Sequence, residues 1–147
     1  MATLIMILKS KGFETSCVPL EAPVSECLRL MKEKNIGSVV VMDGDKVKGL
    51  FTEKTAVRAL YLDIKQCILD VKPVSEVMEK ELVCVTPETT VEEAMSLFTN
   101  KRTRHLPVLE DDKLIGLVSI GDVTKWLLEQ QKSEITHLSD YISGDLR

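Results

Sequence analysis

Ser119 and Asp122 stand three residues apart at the start of a helical pattern, and together they have the chemistry of a polar-ligand site. A capping serine leaves first-turn backbone N–H groups and the positive end of the helix dipole facing outward, an arrangement that favours an anion. The Asp122 carboxylate adds an acceptor pair suited to a diol, as an acidic residue serves ribose hydroxyls in dinucleotide folds. Arg104 and His105 supply a cation and a pH-dependent donor for phosphate. Each of these residues also has a structural reading. Ser119-x-x-Asp122 is an ordinary N-cap with a first-turn acid, worth about 1 kcal/mol. His105 reads equally as a core histidine and Arg104 as a solvated charge. Thr86-Pro87 is a common turn, and Pro107 inside a strand marks an edge or a bulge.

Other chemistries find little support. Cys17, Cys27, Cys67 and Cys84 are 10, 40 and 17 residues apart with no C-x-x-C, and only two histidines accompany them; that is not metal-ligand spacing. They read as structural thiols in a reduced compartment. Asp111 and Asp112 read as a hydrated turn, so no metal is expected. There is no P-loop, nucleophile–base pair or paired-carboxylate motif. The 147 residues carry 19 basic and 23 acidic side chains, a net charge of −4, which disfavours nucleic acid as a partner. The apolar stretch Leu4–Leu8 falls far short of the roughly 20 residues that span a bilayer. The expectation is a cytoplasmic protein with no membrane partner, or an organellar one if a targeting segment has been removed.

The elements that must hold these residues come in two copies. Glu14–Tyr61 aligns without a gap on Glu81–Leu128 at an offset of 67, with 14 of 48 positions identical, among them Cys17/Cys84, Val41/Val108, Gly49/Gly116 and Leu50/Leu117. Other pairs, such as Leu28/Met95, Met31/Phe98, Val39/Leu106, Val47/Leu114 and Phe51/Val118, match apolar with apolar, which is the pattern of a core. In the second copy Leu82–Val85 reads as a strand. Thr90 and Glu93 then cap a helix with apolar residues at Val91, Ala94, Met95 and Phe98. His105–Leu109 and Leu114–Ser119 form a hairpin around Glu110-Asp111-Asp112, and a helix follows over Asp122–Gln131. Each unit is thus β-α-β-β-α, α/β in class, and too small to bury its own sheet face. The expected division is an N-terminal segment 1–13 packing on the pair, unit one at 14–72, unit two at 73–131 and a tail at 132–147. The polar stretch after Gln131, through Leu138–Ile142 to Gly144–Arg147, reads as either a docking tail or a frayed end. Cys17 and Cys84, at equivalent strand positions, are expected to pack in the core.

The gapless repeat, with Arg104-His105-Leu106-Pro107-Val108 and Gly116-Leu117-Val118-Ser119-Ile120-Gly121-Asp122, resembles a cystathionine β-synthase (CBS) domain pair over about residues 14–131, in the manner of small stand-alone pairs. The resemblance implies two units packed sheet to sheet with pseudo-two-fold symmetry. It implies a regulatory adenosine-nucleotide sensor, of AMP, ADP, ATP or NAD(H) type, that dimerises and signals to an unidentified protein effector. No cofactor is obligatory, and magnesium is an optional companion of the ligand. By the resemblance Asp122 binds ribose, Thr86 lines the cleft, backbone near Val83, Leu106 and Pro107 holds adenine, and Arg104, His105 and Ser119 face phosphate.

The first unit departs from this pattern. Thr52 keeps the hydroxyl of Ser119, but Thr55 replaces Asp122, Pro19 replaces Thr86, and Gly37-Ser38 replaces Arg104-His105. Its half-site, at Val18, Ser38, Val39, Thr52 and Thr55, is expected to be empty or weak. Lys54 and Arg58 either reach a neighbouring phosphate or form a solvated helix face. The alternatives to a sensor are a ligand-free dimerisation module and a thiol-redox protein.

Overall fold

The computed structural model describes residues 1–143; the last four residues of the expected docking tail or frayed end, Gly144–Arg147, lie outside the described residues. In the first unit, apolar residues at helical spacing put Val24, Cys27 and Met31 on the buried face of α2 (Val24–Lys34), which ends at Asn35 in the left-handed region. This helix packs on a three-stranded sheet of β1 (Cys17–Pro19), β2 (Ser38–Asp43) and β3 (Lys46–Thr52). β1 runs parallel to β2, and β2 pairs antiparallel with β3. The unit closes with α3 (Glu53–Gln66).

The second unit repeats this frame with α4 (Val91–Asn100), β4 (His105–Glu110), β5 (Lys113–Ser119) and α5 (Ile120–Ser143). Correspondence at the 67-residue offset reaches individual hydrogen bonds. Glu53 N donates to Gly37 O at 3.2 Å, and Ile120 N donates to the equivalent Arg104 O at 2.9 Å. Both hairpins shift register at the same place, between Val41 and Met42 and between Val108 and Leu109. The hairpin turns differ: Asp111 and Asp112 both have positive φ, the twist that a two-residue turn favours, whereas Gly44 takes that role in the first unit.

Three expectations are corrected. Leu82–Val85 is not a strand; only Val85 bridges to Val108, and the second sheet has two strands. Pro107 supplies the reason. In the first unit Val40 N donates to Ser16 O at 3.0 Å; Pro107 stands at the equivalent place and has no N–H, so the ladder cannot extend. Second, the chain past Gln131 is no separate polar tail: α5 runs unbroken to Ser143, because nothing from Asp122 to Ser143 is Gly or Pro. Third, Cys17 and Cys84 are exposed. Side chains of extended backbone alternate in direction, so with Val18 buried in β1 and Val85 buried at its single bridge their neighbours turn outward. Cys27 alone is buried, its thiol pushed up to about 11 by burial and by the nearby Glu26 charge.

Two segments outside the sheets cap the cores, one on each unit. α1 (Leu4–Lys11) buries Leu4, Ile7 and Leu8 in the second unit's core beside Val91, Phe98, Leu106 and Val118. Before it Thr3 bridges to Thr90. On the first unit Pro73 bridges to Pro23, the position equivalent to Thr90, and Val74 in the 3-10 turn Val74–Glu76 enters the core. The repeat's shared glycines make room for these segments. A Cβ at Gly116 would stand 2.7 Å from Leu8 Cδ2, and one at Gly49 would stand 2.8 Å from Glu79 O and collide with Met78 Sδ. No helix among the described residues is long and apolar enough to cross a membrane.

Candidate functional site

β3 and β5 lie against each other, and two clefts open where the helix N-terminus of one unit faces the strand starts of the other. The larger cavity, about 610 Å³, lies at the N-terminus of α3. Its wall includes Leu50, Val57, Leu82 and Val83, and its charged rim includes Lys54, Lys101, Arg102 and Arg104 with Glu53, Glu79 and Glu81. The smaller cavity, about 300 Å³, lies at the N-terminus of α5 and is lined by Ser119 and Asp122 together with Thr15, Ser16, Gly37 and Ser38 from the first unit. Both volumes fall within the range of small-molecule sites.

The residues expected to form one nucleotide site are therefore divided. Val83 and Arg104 face the larger cavity with Thr52, the smaller holds Ser119 and Asp122, and His105 lines both. Ser38, expected in the weaker half-site, joins Asp122 rather than Thr52. Pseudo-symmetric packing crosses the units, so neighbours in sequence end up across the axis from one another. Leu106, Pro107, Val18 and Val39 are buried core or strand positions. Thr86 is exposed on its turn, with its hydroxyl 3.4 Å from that of Thr89, and lines neither cavity.

Both helix N-termini are capped reciprocally, with different consequences. In the first unit Thr55 N donates to Thr52 Oγ1 at 3.4 Å, and Thr52 N to Thr55 Oγ1 at 2.6 Å. Thr55 is buried, and its own hydroxyl donates its one proton to Thr52 O, so it has no donor left for a ligand. In the second unit Asp122 N donates to Ser119 Oγ at 3.1 Å, and Ser119 N to Asp122 Oδ2 at 2.9 Å. That carboxylate also accepts from Lys11 Nζ at 2.6 Å. Burial disfavours ionisation of Asp122, but hydrogen bonds from Lys11 and Ser119 and the Lys11 charge outweigh it and hold the carboxyl below its usual range.

His105 sits between the clefts. A Cβ at Gly37 would lie 2.8 Å from Glu53 Oε1 and 3.7 Å from His105 Nε2, so the carboxylate and the ring converge over that glycine. Burial lowers the His105 pKa, with Glu53 and Asp122 opposing and Lys11 and Arg104 assisting.

Sequence reasoning passed over several lining residues. Lys101-Arg102-Thr103-Arg104 was a legible basic run. Glu53 immediately follows the capping Thr52, a place where acids suit the helix dipole. Lys11 had no such signal, since it lies outside the repeat. Among the described residues no group of three or more His, Cys, Asp or Glu side chains could hold a metal ion.

Comparison with known proteins agrees with this architecture. The CBS domain family profile matches residues 15–62 and 74–129. A CBS domain-containing mitochondrial protein of Arabidopsis thaliana is 32% identical over 152 aligned residues, covering 97% of this chain and 72% of that one. The crystal structure of a CBS-domain containing protein from Agrobacterium tumefaciens superposes with a TM-score of 0.77 at 33% identity, covering 84% of this chain and 98% of the other. A CBS domain protein from Pyrobaculum aerophilum complexed with AMP shares the fold at a TM-score of 0.71 and 18% identity, over 82% and 88% of the two chains. Two tandem units with matching caps, bulges and covering segments, each matched by that profile, place this chain in the CBS-domain family as a tandem pair.

Proposed function

We propose that the chain is a regulatory module that binds an adenosine nucleotide between its two units and performs no turnover. The observation that carries this reading is the larger cavity: an apolar wall of Leu50, Val57, Leu82 and Val83 faces four cations at a helix N-terminus. A purine needs the first, and phosphate is drawn by the second. AMP bound to the Pyrobaculum protein of the same fold adds support for the ligand class. Val83 and its neighbours pack the base, Arg104 and Lys54 meet phosphate, and Ser119 with Asp122 forms the second half-site. Ligand that prefers one packing of the two units shifts their equilibrium by that preference alone, and a partner protein reads the change. The reading includes self-association: Val57, Leu60, Tyr61 and Ile64 follow helical spacing along α3 and are all exposed, a face suited to a second copy of the chain.

Titration calorimetry with AMP, ADP, ATP with and without magnesium, NADH, S-adenosylmethionine and GTP tests the reading. The expected result is heat from an adenosine compound at one per chain. Removing a charged hydrogen-bond partner costs about 1.5–3 kcal/mol, so Arg104→Ala should weaken binding by roughly ten-fold or more. No heat from any of them, with an unshifted melting temperature, would instead favour a ligand-free dimerisation module. A sedimentation measurement that finds only monomer would remove the self-association.

A further inference from the structure

The smaller cleft presents a hydroxyl, a carboxylate and a helix N-terminus, yet one oxygen of that carboxylate, Asp122 Oδ2, is already engaged. Lys11 is the last residue of α1 and lies outside both repeats. Its ammonium donates to Asp122 Oδ2 at 2.6 Å and to Leu117 O at 2.8 Å. With Ser119 N donating to the same Oδ2 at 2.9 Å, both acceptor sites of that oxygen are filled. Carboxylate and carbonyl together are the kind of acceptor pair that two vicinal hydroxyls would use.

Lys11 is held there by its helix. Leu4, Ile7 and Leu8 are fully or almost fully buried, and Gly12 N closes the last turn on Leu8 O at 2.7 Å. Lys11 is itself partly exposed and loses side-chain entropy in forming the pair, but its backbone is fixed beside Leu117, 106 residues away in sequence. The first unit has no equivalent. Its covering segment ends in Glu79-Lys80-Glu81, Glu79 and Glu81 line the open cavity, and Thr55 offers no charge to pair.

We propose that Lys11 is a built-in competitor for ligand hydroxyls that keeps the second half-site closed, so that each chain binds one nucleotide where its symmetry would allow two. The inference rests on the adenosine-nucleotide reading above. Ligand enters the smaller cleft only when the Lys11 ammonium leaves Asp122 and Leu117, which makes this side chain of the N-terminal helix the group that sets stoichiometry.

Calorimetric titration of the full chain with AMP is the test, on wild type, Lys11→Ala, Lys11→Met and the double variant Lys11→Ala/Asp122→Ala, each first shown to melt cooperatively. Lys11→Met keeps a long apolar stem and a good helix former, so it reports the loss of charge if the alanine variant does not fold. Expected are one AMP per wild-type chain, two per chain in either single variant, and one again in the double variant. With 2′-deoxy-AMP as ligand, the added site of the single variants should weaken at least several-fold. One AMP per chain in wild type and in a folded single variant would overturn the lock while leaving the nucleotide reading intact. Two per wild-type chain would overturn it as well. No AMP binding by any variant would overturn both.

Discussion

The two clefts have the same backbone and opposite states. Each has a reciprocal cap at a helix N-terminus, a strand start from the other unit and a covering segment seated on a glycine. One measures about 610 Å³ and the other about 300 Å³. The difference lies in few side chains. Around α3 the cap partner is a buried threonine whose hydroxyl is used up on backbone, and charges gather at the rim. Around α5 the partner is a carboxylate, and a lysine from the covering helix is bound to it. Duplicated backbone geometry thus places two like clefts, whereas the segment laid over each unit makes their side chains differ.

The largest expected effect comes from removing the anchor that holds Lys11 in place. Leu8 is fully buried, and its Cδ2 fills the space that a Cβ at Gly116 would need. Leu8→Ala should cost about 2–5 kcal/mol, as core leucine truncations do, read as a fall in the chemical-denaturation midpoint. If the two clefts differ because of α1, this variant should also protect less of the α1 backbone from hydrogen exchange while leaving α3 protected. Equal loss of protection in both helices would mean that the covering segments are not independent devices.

A middle-sized effect separates the caps. Thr52→Ala and Ser119→Ala each remove the side chain that accepts from the third helical N–H, and each should lose about 0.5–2 kcal/mol. Ser119→Ala leaves Asp122 its bond to Lys11. Thr52→Ala leaves Thr55 Oγ1 still accepting from the residue 52 N–H. Similar losses by thermal melting would fit two equivalent caps. A Ser119→Ala loss several times larger would show that the Lys11–Asp122 pair depends on the cap.

Much of this was legible in the sequence. The 67-residue offset exposes the repeat because core positions at Val41/Val108 and Gly49/Gly116 must satisfy the same packing twice. Ser119 and Asp122 are legible as a cap because capping is local chemistry. Three things escaped for physical reasons. The strand at Leu82–Val85 failed for want of one N–H at Pro107, a donor that belongs to a different segment. The exposure of Cys17 and Cys84 depends on which residue of a short extended segment faces in, a phase set only against its partner strand. Grouping Arg104 with Asp122 assumed that closeness in sequence means closeness in space. Pseudo-symmetric packing instead sends Arg104 to the α3 cleft and Asp122 to the other, and brings Lys11 to Asp122 from outside the repeat.

The smallest effect tests whether His105 belongs to both clefts. Its pKa is lowered, first by burial, while Glu53 and Asp122 pull it up and Lys11 and Arg104 push it down. The unfolded chain therefore takes up a proton on this ring more readily than the folded one does. Stability contributed by neutral His105 is fully present above the ordinary histidine value of about 6.5 and is lost as pH falls through the lowered folded value. Asp122, also lowered, acts in a separate window: its contribution holds above the ordinary aspartate value of about 3.9 and disappears only at more acid pH. Melting temperatures of wild type and His105→Asn, measured in small steps from pH 7.5 downward, should diverge below about pH 6.5, with wild type falling more steeply. Lys11→Ala takes a positive charge away from the ring and should make that wild-type slope shallower. An unchanged slope in Lys11→Ala would mean that the ring senses the α3 cleft and its Glu53 alone.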